Sequence, residues 1–454
     1  MRIPTVDEER ERAMSRQRQL TIAKRFPCQQ AHCTLLTNNR SRLMPVPANS
    51  STTFPHSMFW RALALPAVVS LGLCSVKAAD WPNFRGPSHN GSSAETEWRA
   101  TWPGEIPVAW KAEVGLGFSS VVVSEGRAAT AGHFKGKDTV YCFEATTGKL
   151  LWKHTYPAEL GDNYFDGGTT GTPTFDGARL FWLSRWGNLI CLDASTGRVV
   201  WEKNIATETG APFPMWGFTG APLVRGDLLV LNVGDAGAAV EKATGRLVWK
   251  SAAKDAGYST PLPLGDVVLM GNGKSYLAVN FKTGAEAWRT KWTTEYGVNA
   301  ADPVHADGRV FISSGYGKGG ALLKLKGNGA PEETWKTKSL KTQLNAAVLH
   351  KGYLYGVDGD TTQKAPLKCI DFSTGEEKWS EPGFGSGGLT IVDGHILALS
   401  GLGEVMIAQA SPAEFKTTAR AQVFGPKAWT APVFANGLLY CRNGRGELVV
   451  LNLK

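Results

Sequence analysis

Residues Cys142-Phe-Glu-Ala-Thr-Thr-Gly148-Lys-Leu-Leu-Trp152 form a pattern that returns as Cys191-Leu-Asp-Ala-Ser-Thr-Gly197-Arg-Val-Val-Trp201. In both copies an apolar segment leads into a Thr-Gly pair, and a tryptophan follows the glycine by four residues. Glycine adopts positive φ at little steric cost, so the Thr-Gly pair predicts a tight turn between two strands. Other copies end at Trp249, Trp288 and Trp379, a weaker one at Trp335 and a degenerate one at Phe415, while Trp110 matches only the last strand of the pattern.

Each repeat predicts a sheet of four antiparallel strands. The Thr-Gly turn joins the third and fourth strands, and the tryptophan falls on the fourth, outermost one. Upstream of this hairpin stand two further apolar strands joined by a turn such as Asp176-Gly177. The marker aromatics recur at intervals of 36 to 49 residues. One such sheet cannot bury both of its faces, so the units are expected to pack side by side around an axis.

Counting the markers predicts an all-β, eight-bladed β-propeller over residues 80–454. After Phe415 the chain has three more strands, and we expect Val108–Lys111 near the start of the propeller to supply the fourth. This pairing would close the ring and remove two free sheet edges. Seven blades remain the alternative if the degenerate unit after Gly385 is not a full blade.

The net charge of +9 is concentrated before the repeats. Residues 1–78 hold eleven Lys and Arg against four Asp and Glu, so 38 basic and 36 acidic residues remain in the rest of the chain. A surface that binds nucleic acid should keep its basic excess in the folded part. We therefore do not expect a nucleic-acid partner.

A leader precedes the repeats. Met58-Phe-Trp-Arg61 is a short positive start, Ala62–Cys74 is an apolar run of 13 residues, and Val76-Lys-Ala78 offers small residues for cleavage. The run is too short to span a bilayer, so 58–78 is predicted to be a signal peptide. Residues 1–57 are then a mis-assigned extension or, alternatively, a real disordered prefix. Leu73 precedes Cys74 where a lipidated cysteine normally follows Gly, Ala or Ser, so lipid anchoring is not expected.

Four cysteines follow the leader. Cys142, Cys191 and Cys369 occupy equivalent positions in different repeats, and Cys441 is the fourth. Equivalent positions on neighbouring blades should lie on the order of 10 Å apart, beyond the roughly 7 Å Cα separation that a disulfide bridges. We expect buried free thiols.

The Thr-Gly-x-x-x-Trp units resemble the tryptophan-docking repeats of the pyrroloquinoline-quinone (PQQ) propeller family. The segment Asp80-Trp-Pro-Asn-Phe-Arg-Gly-Pro87 resembles the start of exported bacterial members. The resemblance covers nearly all of 80–454 and implies the propeller fold. It implies two kinds of function, because quinoprotein alcohol dehydrogenases hold PQQ and calcium in this fold whereas BamB-type outer-membrane assembly factors are cofactor-free scaffolds.

The sequence departs from the dehydrogenases. It has no adjacent cysteine pair, whose disulfide covers one face of PQQ in those enzymes, and no Cys-x-x-Cys-His haem motif. Residues 80–454 carry no Gly-x-Ser-x-Gly, His-Glu-x-x-His, P-loop or paired-histidine metal spacing. The scattered histidines, such as His133 and His395, are expected at the surface or in turns. We predict no catalytic residue, no metal site and no resident cofactor, with PQQ plus calcium as the alternative.

A binding site is expected around the channel mouth, on the face opposite the Thr-Gly turns. The loops before the innermost strand and those between the second and third strands meet there in a propeller. Aromatic and polar side chains of these loops are our candidate ligand-binding residues: Phe118, Arg185, Trp186, Trp216, Tyr258, Asn299, Asp302, Asn345, Trp429 and Arg442. The structural alternative is that the aromatics plug a tapered channel and the cations are solvated. For Asp302, the alternative is to accept hydrogen bonds from neighbouring strand N–H groups.

The blade-docking residues are predicted to be Trp110, Trp152, Trp201, Trp249, Trp288, Trp335 and Trp379. The leading functional hypothesis is a monomeric periplasmic or secreted propeller, without a transmembrane segment, that binds an envelope protein or peptide, or a small anionic or sugar ligand. A PQQ- or metal-dependent oxidoreductase is the first alternative. A carbohydrate-binding or carbohydrate-active propeller is the second.

Overall fold

The computed structural model describes residues 79–102, 104–254, 256–327, 329–361 and 364–454. The predicted extension 1–57 and signal peptide 58–78 lie outside the described residues. Within the described ranges the regular secondary structure is almost entirely β-strand, with one short helix, Ile205–Thr209. No helix in these ranges is long and apolar enough to cross a membrane.

The strands form eight sheets, and each sheet has four consecutive antiparallel strands except where an N-terminal strand joins. The sheets are named blades 1 to 8 in chain order. Blade 1 consists of Val122–Ser124, Arg127–Phe134, Lys137–Glu144 and Leu150–Pro157, and blade 2 of Thr174–Asp176, Arg179–Leu183, Asn188–Asp193 and Val199–Asn204. Blade 3 consists of Leu223–Arg225, Leu228–Leu231, Ala238–Glu241 and Leu247–Lys250, and blade 4 of Leu262–Leu264, Val267–Gly271, Ser275–Asn280 and Glu286–Lys291. Blade 5 consists of Val304–Ala306, Arg309–Ser314, Gly319–Lys326 and Gly329–Thr337, and blade 6 of Val348–His350, Tyr353–Val357, Leu367–Asp371 and Glu377–Glu381. Blade 7 consists of Gly388–Val392, His395–Leu399, Glu404–Gln409 and Thr417–Gln422, and blade 8 of Val433–Ala435, Leu438–Arg442 and Glu447–Asn452.

The N-terminal strand Val108–Glu113 completes blade 8. It pairs antiparallel with Glu447–Asn452, with Trp110 opposite Val450. The predicted closure of the ring by the two chain ends is therefore confirmed, and the fold is an eight-bladed β-propeller. The degenerate unit after Gly385 is a full blade, so the seven-blade alternative is wrong.

Most docking tryptophans make the same two contacts with the following blade. The ring lies against the Thr-Gly glycine there, and the indole N–H donates to the carbonyl oxygen three residues before that glycine, as Trp152 does to Ala194. These hydrogen bonds measure 2.9 to 3.2 Å for Trp110, Trp152, Trp201, Trp249 and Trp335. Trp379 donates at 2.8 Å to the carbonyl oxygen of Ser411 on blade 7, which has no Thr-Gly turn. Trp288 is buried without such a bond among the described residues.

Blade 7 departs from the pattern. The strand register places Ala419, and not Phe415, where other outer strands carry tryptophan, because Ala419 is opposite Ile407 directly after the bulge. Phe415 instead packs against Trp379 at 5.5 Å between ring centroids. Trp98 and Trp102 of the N-terminal region pack against the cluster between blades 7 and 8, against which Ala419 also packs. Aromatic rings from elsewhere in the chain thus fill this gap.

The core is divided into clusters between neighbouring blades, as expected for radial packing of sheets. The four cysteines lie in these clusters or strands as buried free thiols, which confirms the sequence prediction. Burial raises the pKa of each thiol, for example that of Cys191 to about 11. They behave as small apolar side chains.

Residues 79–93, here named the crossing segment, span the channel at the end that bears the Thr-Gly turns. Trp81 exchanges two backbone hydrogen bonds of 2.8 Å with Val123 on the innermost strand of blade 1. The other end, Ser92–Ser93, pairs in parallel with Ile391 and Val392 on the innermost strand of blade 7. Between these ends, the carbonyl oxygen of Pro82 accepts the N–H of Phe175 on blade 2, and Arg85 donates to the carbonyl oxygen of Ala347, directly before blade 6. Blades 2 and 6 face each other, so the segment links opposite sides of the ring.

Candidate functional site

A cavity of about 280 Å³ occupies the centre of the ring on the face opposite the Thr-Gly turns, here named the pocket face. The segments that lead into the innermost strands of blades 1 to 6 and blade 8 converge on it. Six of the ten candidate residues line it: Phe118, Trp216, Tyr258, Asp302, Asn345 and Trp429. Pockets that hold small molecules are usually of this kind, concave and apolar with a few polar groups.

Aromatic rings form much of the wall. Phe118 and Trp429 stack with their centroids 5.1 Å apart and their planes 18° from parallel. Trp216 meets Tyr258 edge to face at 5.8 Å. Tyr258 is buried, whereas Phe118, Trp216 and Trp429 remain partly accessible. Such rings offer a large contact area at little cost in conformational entropy.

Backbone carbonyls hold the rim loops together. Asn345 donates to the carbonyl oxygens of Gly387 at 3.0 Å and Trp429 at 2.7 Å. Thr219 donates to the carbonyl oxygen of Tyr258 at 2.6 Å, which ties the loops of blades 3 and 4. Because each bond joins different blades, the wall is pre-organised before a ligand arrives.

The crossing segment supplies the floor of the pocket through Phe84. The next residue, Arg85, is buried and donates from Nη2 to the carbonyl oxygens of Asn90 at 3.1 Å and Ala347 at 2.8 Å. Its Nη1 has no hydrogen-bond partner among the described residues. Burial lowers the pKa of Arg85, and the charge of Asp302 opposes that effect. The floor thus places a cation near the one acidic group of the pocket.

Asp302 stands at the start of the innermost strand of blade 5 and is 8 % exposed. Its Oδ1 accepts the backbone N–H of Thr260 at 2.7 Å, which is the structural role considered for it in the sequence. Burial raises the pKa of this carboxyl to about 6, although the Arg85 charge acts in the opposite direction. The side chain therefore has both a structural contact and a face on the cavity.

Arg442 and Arg185 lie outside the lining of the pocket. Arg442 is 1 % exposed and donates to the carbonyl oxygens of Ser119 and Ala131 at 2.8 and 2.7 Å. Arg185 donates to the carbonyl oxygens of Leu160, Gly168 and Trp216 at 3.1 to 3.2 Å. Burial lowers the pKa of Arg442 to about 9 and that of Arg185 to about 10. Both guanidinium groups donate hydrogen bonds to backbone carbonyl oxygens of the loops. They therefore present little charge to a ligand.

The other two candidates, Asn299 and Trp186, also lie outside the lining. Asn299 donates to the carbonyl oxygens of Asn272 and Trp292 at 2.8 Å each, and Trp186 donates to that of Glu159 at 2.9 Å. His133 was expected at the surface or in a turn, but it is buried beside Asp138, with 2.8 Å between Nδ1 and Oδ1. It too lies away from the cavity lining.

Several lining residues were not among the sequence candidates. Phe84 belongs to a segment without strand periodicity, and its contact with the channel depends on a path that no local pattern encodes. Phe165 lies in a long loop before blade 2, where it approaches Phe118 at 6.0 Å. Further lining residues outside the candidates include Thr170, Thr172, Tyr316, Gln343 and Leu344.

Known proteins with the same propeller architecture are similar to this chain. The family model described as outer membrane protein assembly factor BamB matches residues 91–170 and 136–381, which together cover more than half of the chain. The chain belongs to this family of PQQ-repeat propellers. No curated protein is similar enough to this BamB-family chain to count as a match.

Solved structures similar to this BamB-family chain include both functional types. BamB from Moraxella catarrhalis has a TM-score of 0.58 and 19 % identity, covering 77 % of this chain and 100 % of that chain. The quinohemoprotein alcohol dehydrogenase ADHIIG from Pseudomonas putida HK5 has a TM-score of 0.60 and 14 % identity, covering 83 % and 80 %. The corresponding enzyme from Comamonas testosteroni has a TM-score of 0.58 and 14 % identity, covering 82 % and 80 %. At these identities the likeness concerns the fold.

The pocket lining does not fit PQQ. The cofactor is a flat tricarboxylate and needs cationic side chains around it, as the resemblance to the dehydrogenases implies. Within the described ranges, the lining contains no lysine or arginine, and its one charged residue, Asp302, would repel a carboxylate. No group of three or more His, Cys, Asp or Glu side chains in the described part of the chain is arranged for a metal ion.

Proposed function

We propose that this chain is an exported binding or scaffolding protein of the cell envelope that engages its partner at the pocket face. The observation that carries the proposal is the aromatic cavity, whose wall is contributed by seven blades and whose floor is Phe84. Rigid aromatic side chains at the centre of a surface are typical anchors of binding energy. Membership of the BamB family supports a scaffolding role.

The predicted leader supports export. If 58–78 is a signal peptide, the mature chain begins close to the crossing segment, which folds against the channel. Cell fractionation together with N-terminal sequencing of the purified protein tests this part. Envelope localisation with a first residue near Ala79 is expected. A cytoplasmic protein that retains residues 1–78 would contradict export.

Site-specific photo-cross-linking in the native cells tests the binding face. A photoreactive residue in place of Trp216, on the pocket face, is expected to capture an envelope component. The matched control replaces Val248, an exposed residue of an outer strand that is 40 % accessible. Cross-links of equal yield and identity from both positions, or from Val248 alone, would argue against a partner on the pocket face.

A further inference from the structure

The charge of the pocket depends on one side chain. Asp302 is the only charged residue of the lining within the described ranges, and more than nine-tenths of its surface is buried. Its Oδ1 accepts the Thr260 N–H, and no other hydrogen bond to this carboxylate comes from the described residues. The second oxygen, Oδ2, is left for whatever occupies the cavity.

The structural contact of Asp302 does not require a carboxylate. At equivalent positions on other blades, the hydroxyl of Thr172 accepts the N–H of Ser120 at 3.0 Å, and that of Thr260 accepts the N–H of Ala221 at 3.1 Å. A threonine therefore makes the same link between innermost strands. The charge and the second oxygen of Asp302 are additional to what the fold needs at this site.

No described cation pairs directly with this carboxylate. Arg85, the basic group whose charge acts on Asp302, directs Nη2 to the carbonyl oxygens of Asn90 and Ala347 and forms no ion pair with Asp302. The pKa of Asp302 remains raised, which means that burial outweighs the attraction of Arg85. A buried carboxylate of this kind is stabilised when a cation with hydrogen-bond donors reaches it.

The aromatic walls of the pocket also favour a cation. Aromatic faces attract ammonium groups through their quadrupoles, most strongly for tryptophan. Trp216, Trp429 and Phe118 line the cavity together with the acidic side chain. The negative charge of Asp302 and the aromatic faces thus both favour a positively charged ligand.

We infer that the pocket binds a primary ammonium group, which donates to Asp302 and lies among the aromatic rings. The inference rests on the proposed function, because it names the chemistry of what enters the same pocket. A lysine side chain of a partner protein and a free organic amine share this chemistry.

Titration calorimetry with matched probes tests the inference. The probes are 2-phenylethylamine, which is cationic at pH 7.5, and 2-phenylethanol, which has the same skeleton without the charge. The purified propeller is expected to bind the amine about tenfold more tightly than the alcohol, since a charge-assisted hydrogen bond is roughly twice as strong as a neutral one. Equal binding of the two probes, or binding of neither, would overturn the inference.

Two variants separate the charge from the fold. Asp302→Thr keeps an acceptor for the Thr260 N–H, and Asp302→Asn keeps the shape without the charge. Both are expected to remain folded and to bind the two probes equally. An undiminished preference for the amine in either folded variant would show that the selectivity comes from elsewhere.

The source of the ammonium group is distinguished by a third probe, a tripeptide with blocked ends and a central lysine. Tighter binding of the peptide than of 2-phenylethylamine indicates a partner's lysine, and the reverse order indicates a free amine. If cross-linking from position 216 captures a partner while the charged and neutral probes bind alike, the ammonium inference fails and the proposed function stands. If cross-linking from that position yields nothing and no probe binds, both fail.

Discussion

The indole Nε1 of Trp152 donates a hydrogen bond of 2.9 Å to the carbonyl oxygen of Ala194 on the next blade. Trp152→Phe removes this donor and leaves the carbonyl without it at a buried site. The variant Trp288→Phe is the matched control, because Trp288 is similarly buried, at 6 % against 8 %, and makes no such bond among the described residues. Trp152→Phe should lower the free energy of unfolding, measured with urea, by about 1–2 kcal/mol more than Trp288→Phe does. Equal losses of unfolding free energy in the two variants would mean that ring packing alone joins the blades.

Gly197 lies directly on the Trp152 ring, with φ +71°, so that an added Cβ would approach Cε3 of that ring at 2.5 Å. Gly197→Ala should therefore combine backbone strain of about 1–2 kcal/mol with a steric clash of about 1–3 kcal/mol. Gly126 has a similar φ of +75° with no atom within 4 Å of the added Cβ. Gly126→Ala should show the strain alone. Similar unfolding midpoints for the two variants would refute the contact between the turn and the indole.

The fold could be predicted because its signal is local and repeated. Thr-Gly followed by tryptophan after four residues encodes a turn, a strand and a contact with the next blade within a dozen residues. Blade 7 shows where this local signal ends. Its outer strand has Ala419 at the tryptophan position, and the rings that compensate come from Trp98 and Trp102, more than 300 residues earlier.

The pocket could be predicted only in part. Propeller topology located the rim, so Phe118, Trp216 and Trp429 were found from their positions before innermost strands. Sequence alone does not distinguish a solvated arginine from one that binds backbone carbonyls, and Arg442 is of the second kind. The floor residue Phe84 was missed because its partners are distant in sequence.

The crossing segment should be stabilised mainly by Trp81, which is 2 % exposed in the cluster between blades 8 and 1. Trp81→Ala should lower the free energy of unfolding by about 3–5 kcal/mol. It should also make residues 79–93 more sensitive to limited proteolysis, because local opening becomes easier. Trp98→Ala, which removes a half-buried ring outside this segment, should leave cleavage within 79–93 nearly unchanged. Resistance of Trp81→Ala to proteolysis would mean that the pairing at Ser92–Ser93 is sufficient.

Asp302 should make stability fall as pH rises from about 4 to about 6. Its pKa is about 6 in the folded chain and near 3.8 in the unfolded chain, so the folded state holds more protons within this window. Burial raises the pKa of Asp302, whereas the charge of Arg85 from the crossing segment and the N–H of Thr260 favour the charged form. The buried Tyr276 of blade 4 has a raised pKa, to which the Asp302 charge contributes, and stays neutral in this window. A difference of about two units corresponds to about 3 kcal/mol at most.

Asp302→Asn should therefore gain stability relative to the unmutated chain at pH 7 and lose that advantage below pH 4. Urea unfolding of both proteins at several pH values between 3.5 and 7.5 measures the difference. A saturating primary amine should reduce the gap at pH 7, because a bound cation stabilises the charged carboxylate only in the unmutated protein. A gap that stays constant with pH would mean that Asp302 does not titrate in this range, and its uncompensated burial could then no longer explain a preference for cations.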